Sequence, residues 1–141
     1  ESKAYIILDI NKKASILLKP EKYKVPNFYG LKFVITTLNI KEIIAEKIRA
    51  ILTRNRPRDY FDLYFILRKY KLDISLVKKK MAEANEIFDI ERIFRNARKV
   101  YSKWDDEIPK LTNKKLTFLT CIRFLQKKLR NQEHKLMKRD Y

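Results

Sequence analysis

The period of the apolar positions changes once along this chain. Up to about residue 38 they fall in short strand-like runs, at residues 4–10, about 13–19 and 31–38. Asn11-Lys12 reads as a tight link between the first two. Residues 21–30, flanked by Pro20 and holding Pro26 and Gly30, read as a loop. Beyond residue 38 the apolar positions recur every three or four residues, which predicts helices at about 40–54, 57–70, 74–85, 89–104 and 114–134. Asn39, Asp73 and Asp89 stand where N-caps belong, Glu42 suits a capping box with Asn39, and Pro57 fits a first helical position. Pro109 falls in a linker. The layout is α+β: a short sheet portion over 1–38, then a helical bundle over 39–141 that ends in a basic helix.

Winding residues 42–52 at about 100° per residue puts Ile43, Ile44, Ala45, Ile48, Ile51 and Leu52 on one broad arc. Lys47 falls inside it and Arg54 near its edge, while Glu46 and Arg49 point the other way and read as solvated charge. On the next helix Asp59 and Asp62 are three apart and share a face. Phe61, Leu63, Phe65 and Leu67 surround that face, so Asp62 is expected to be enclosed. An unpaired buried charge costs several kcal/mol, so these groups need partners. One reading is an ion pair of Asp62 with Lys47, Arg54 or Arg58 that locks two helices together. The other is a cleft where opposite charges converge on a phosphate or metal.

Composition adds a strong field. The chain has 141 residues, 34 Lys and Arg against 17 Asp and Glu, and a formal net charge of +17. The excess is uneven: residues 73–109 balance, whereas 110–141 carry ten Lys and Arg against two Asp and Glu. Such a field attracts polyanions and makes binding salt-sensitive. In the basic tail Phe118, Leu119, Ile122, Leu125 and Leu129 form the apolar stripe, with Lys114, Arg123, Lys127 and Arg130 outward. No run of 18 apolar residues predicts a membrane span. The one cysteine, Cys121, points to a reducing, cytoplasmic setting and reads as a packed residue. The one histidine, His134, builds neither a zinc site nor a triad alone. No glycine-rich phosphate loop is present, because Gly30 is the only glycine.

The run EIIAEKIRAILTRNRPRDYFDLYFIL resembles the C-terminal motifs of the AbiEii/AbiGii-type nucleotidyltransferase toxins. Those proteins carry an E-K pair with a following alanine, a basic link, and R-x-x-D-x-x-D entering an apolar helix. The matching residues are Glu46-Lys47 with Ala50, then Arg56, Asp59 and Asp62. The similarity covers about Asn39 to Leu72, roughly a quarter of the chain. The run at residues 4–10 is similar to the family strand that bears a further carboxylate, which would be Asp9.

The resemblance implies a nucleotidyltransferase fold, whose C-terminal strands would be residues 1–38. It implies transfer of a nucleotide from an NTP to RNA, tRNA being the known acceptor type, with Mg²⁺ as cofactor. Lys47 would contact the nucleotide phosphates, with Arg54, Arg56 and Arg58 as further phosphate or acceptor contacts. Asp59 and Asp62 would position the reacting groups or the lysine, and Asp9 would bind metal. An acidic antitoxin would be a protein partner. The family's first motif, a Gly-Ser pair followed by D-x-D or E-x-D on a strand, has no counterpart, and Asp105-Asp106 sit in a polar link. The expectation is a C-terminal part of a longer protein. Two other readings compete: a non-catalytic basic module that binds RNA, and a structural or partner-binding domain in which Lys47 and the aspartates only pair in the core.

Overall fold

The computed structural model describes residues 15–26, 30 and 32–137. It divides into two units, residues 1–38 and 39–141. In the first, strand β1 (Glu21–Val25) pairs antiparallel with β2 (Phe33–Thr37), Glu21 opposite Thr37 and Val25 opposite Phe33. Gly30, at φ 75°, supplies the left-handed backbone of their connection. β2 lies within the expected strand at 31–38, but β1 occupies the segment read as a loop. Pro20 and Pro26 bracket it and do not interrupt it, and a strand tolerates proline just outside its ends. Residues 15–19, expected to be strand, are irregular. The expected strand at 4–10 lies outside the described residues.

The second unit is helical: α1 (Ile40–Thr53), α2 (Pro57–Lys69), α3 (Ile74–Glu83), α4 (Ile90–Leu111) and α5 (Phe118–Met137). The caps are those the sequence specified. Asn39 accepts from the Lys41 N–H, Asp73 from Leu76 and Asp89 from Glu91, and Pro57 opens α2. α4 runs on through Asp105, Asp106 and Pro109, which were expected in linkers. Pro109 removes one helical donor, but Trp104 and Ile108 are buried on the same face and hold the last turns in place. Trp104 also donates to the Leu116 carbonyl at 2.9 Å, fixing the approach to α5. That helix begins four residues later than expected, and Leu119 is exposed.

α2 is central, packing against α1, α4 and α5, while α3 closes the other side of α1. Ile44, Ile48, Ile51, Tyr60, Leu63, Ile93, Leu125 and Leu129 are fully buried in this core. Cys121 is buried too, with its Sγ 3.5 Å from the Tyr60 carbonyl oxygen. Burial pushes its thiol up to about 12, so the folded state keeps the proton that the unfolded chain releases near pH 9. This contribution to stability is full below the unfolded value and is lost as pH rises through the folded one. Cys121 is therefore expected to resist alkylation at pH 8 in the folded protein and to react fully in denaturant. Rapid labelling under native conditions would contradict this burial.

Candidate active site

The site forms where α1 ends and α2 begins. Arg54 caps α1, its backbone N–H bonding the Ala50 carbonyl at 2.9 Å. Asn55 follows at φ 52°, a left-handed conformation that asparagine tolerates better than most side chains. Its side-chain oxygen lies 3.0 Å from the Tyr60 hydroxyl, which also lies 3.0 Å from the Ile93 carbonyl. Burial is the main reason the Tyr60 hydroxyl is held above its ordinary pKa, so it remains a neutral donor. Arg56 is extended and Pro57 starts the next helix. This short link sets the last turn of α1 beside the first turn of α2.

Four side chains alternate in charge across that junction. Asp59 is fully buried. Arg54 grips it with two parallel bonds, Nε to Oδ2 at 2.9 Å and Nη2 to Oδ1 at 2.6 Å. That hydrogen-bonded carboxylate, against the opposing effect of burial, raises the Arg54 pKa further and keeps the guanidinium charged. The Lys47 ammonium lies 3.5 Å from Asp59 Oδ1 and 2.5 Å from Asp62 Oδ2. The side chain of Lys47 is 23% exposed and that of Asp62 39%. The series thus runs from the enclosed Asp59 through Lys47 to the more open Asp62.

The sequence pattern expected Asp62 to be the enclosed carboxylate, and the order is reversed. The buried face of α2 is that of Tyr60, Leu63 and Leu67, and Asp59 stands one turn before Leu63 on it. Phe61 and Phe65 are only half-buried. They line, with Lys47, Asp62, Lys114 and others, an open groove of about 840 Å³. Arg56 and Arg58 do not line it. They border a second groove of about 440 Å³ with Arg54, Lys103 and Lys110, and Leu111 borders both. Asp9 lies outside the described residues.

A second ionic cluster was not legible in the helical pattern. Lys80 of α3, 3% exposed, reaches Glu42 Oε1 at 2.6 Å and Glu46 Oε1 at 3.2 Å. Arg49 also bonds Glu46 at 2.7 Å, so neither residue is merely solvated charge. Burial works against the charged Lys80, but the bonds to Glu42 and Glu46 outweigh it and raise its pKa. One signal was available: Lys80 is three residues after Val77 and four after Leu76, both buried. Glu46 and Lys47 are thus adjacent residues serving different clusters, one tying α1 to α3 and the other tying it to α2.

The family model for the nucleotidyl transferase AbiEii toxin of type IV toxin–antitoxin systems matches residues 1–140. The chain belongs to that family. No curated protein and no solved structure gave a significant match. Membership in the AbiEii family brings a nucleotide substrate, a general dependence on metal and an antitoxin partner. Lys47, Asp59 and Asp62 meet at the junction with Arg54, whereas Glu46 faces α3 and Arg56 borders the second groove. The described residues do not by themselves complete a metal cage. No group of three or more His, Cys, Asp or Glu side chains converges among them, and Arg54 occupies both oxygens of Asp59. No helix among the described residues is long and apolar enough to cross a membrane.

Proposed function

We propose that Lys47, Asp59 and Asp62 form the phosphate-holding part of a nucleotidyltransferase site whose acceptor is RNA, with tRNA the first candidate. The observation that carries this reading is the Lys47 ammonium, held between two carboxylates yet lining an open groove. Phosphoryl transfer needs chiefly positioning and fixed positive charge where charge develops on the phosphates. Arg54 fixes Asp59, Asp59 and Asp62 together aim Lys47, and Lys47 donates to phosphate oxygens of a bound NTP. Asp62 is the more exposed of the two carboxylates and the one that can face a reacting hydroxyl. In the reaction that hydroxyl gives its proton to Asp62 or to water, its oxygen bonds to the α-phosphorus, the α–β bridging bond breaks, and pyrophosphate leaves. Mg²⁺ is the expected metal, with Asp9, which lies outside the described residues, as a candidate ligand.

The net charge of +17 supports both a polyanionic acceptor and an acidic antitoxin. The lone, buried Cys121 suits the reducing cytoplasm. The test is transfer of label from NTP to total tRNA in the presence of Mg²⁺, with the intact toxin and its Lys47→Ala and Asp62→Asn variants. Labelled RNA that disappears in both variants is the expected result. Full labelling by both variants would sink the proposal.

A further inference from the structure

We infer that the second groove, beside the first turn of α2, holds the sugar–phosphate backbone of the acceptor RNA, with Lys103 and Lys110 of α4 as its binding residues. This rests on the acceptor being RNA, as proposed above. Two cations at the junction are already matched, Arg54 by Asp59 and Lys47 by both aspartates. Arg56, Arg58, Lys103 and Lys110 are exposed, and none has an ion pair among the described residues. They gather in one concavity where Glu107 is the only carboxylate. Four like charges facing one carboxylate repel one another, and an incoming polyanion relieves that repulsion.

The local backbone reinforces the charge. The groove lies at the positive end of the α2 dipole, where Pro57 offers no N–H and the Asp59 N–H bonds the Arg56 carbonyl at 3.1 Å, so the helix contributes through its dipole. Arg56 and Arg58 offer planar forks suited to phosphate oxygens, and Lys103 and Lys110 add point charges from the opposite wall. Pro57 and Leu111 are the apolar members of the lining, so there is no aromatic floor of the kind a protein hot spot needs. The chemistry is that of a phosphodiester backbone more than that of a protein partner. Leu111 borders this groove and the one containing Lys47, so the two adjoin.

The test is direct binding of fluorescently labelled total tRNA to the intact toxin over a salt series, without catalysis. It compares the parent with Lys103→Ala/Lys110→Ala, Lys103→Arg/Lys110→Arg and Lys47→Ala. The double alanine variant is expected to lose about tenfold in affinity and to flatten the log–log salt slope by about 1.5. The double arginine variant should keep both, and Lys47→Ala should bind nearly as the parent does. Parent-like RNA affinity in the double alanine variant, or no binding by the parent, overturns the inference. So does weakened NTP binding by the double alanine variant with RNA affinity intact, which would make the groove a triphosphate site. Weakened antitoxin binding with RNA affinity intact would make it a protein interface and overturn it equally. If Lys47→Ala leaves transfer unchanged, the catalytic reading fails while the binding comparison still stands.

Discussion

Lys47→Met is expected to cost the intact toxin about a thousandfold in nucleotide transfer, the scale of removing a positioned donor from developing charge. Its melting temperature should stay within about 3 °C of the parent, corresponding to less than about 1 kcal/mol. The separation follows from how the neighbours are bound. Asp59, the buried carboxylate, keeps both bonds from Arg54 when the ammonium is removed. Asp62, 39% exposed, can turn to water. Methionine retains most of the lysine stem against α2, so little packing is lost. Transfer kinetics and thermal unfolding on the same preparation decide the matter. A large fall in melting temperature would make Lys47 a structural clasp. Unchanged transfer would remove it from catalysis.

The opposite outcome is expected at the other cluster. Lys80→Ala leaves Glu42, a fully buried carboxylate, without the ammonium that stands 2.6 Å away. Breaking a buried pair from one side costs about 3–5 kcal/mol, because the remaining buried charge loses its counter-charge. The melting temperature should fall by about 10 °C or more. Glu46 is less affected, since it is partly exposed and retains Arg49. The double replacement Glu42→Leu/Lys80→Met removes both charges at similar volume and is expected to recover most of the loss. Denaturant unfolding of the two variants supplies the measurement. A mild effect of Lys80→Ala would mean that water reaches Glu42. Failure of the double variant to recover would mean that the pair positions α1 for more than charge balance.

These two clusters bear on how the family motif is built. Glu46 and Lys47 hold adjacent positions of α1, about 100° apart around the axis. One therefore faces α3 and the other α2. Disturbing the α1–α3 contact would tilt the surface from which Lys47 projects. The stability of the Lys80 cluster and the aim of Lys47 are physically connected through one helix.

The sequence by itself determined the helical unit. Its 3.6-residue period, the caps Asn39, Asp73 and Asp89, and Pro57 are local signals, read from backbone propensity and hydrogen bonding over a few residues. It also narrowed the partner of Asp62 to Lys47, Arg54 or Arg58, because charges on apolar faces of neighbouring helices must be matched, and the structure chose Lys47 for it and Arg54 for Asp59. It was misled where local punctuation competes with pairing. The prolines around β1 were read as loop markers, yet a strand is made by its partner, and β2 lies a dozen residues away. Pro109 was likewise read as a break, while the burial of Trp104 and Ile108 carries α4 past it.

Only the tertiary structure decided which aspartate is enclosed and where the arginines of the link point. The helical pattern of α2 gives Asp59 and Asp62 one face, but burial depends on what packs there. Leu63 and Leu67 turn inward, and Phe61 and Phe65 line an open groove. The same holds for Glu42 with Lys80, and for Arg56 and Arg58 with Lys103 and Lys110. Their partners stand more than thirty residues away in sequence, and no local period encodes which distant helix closes on which.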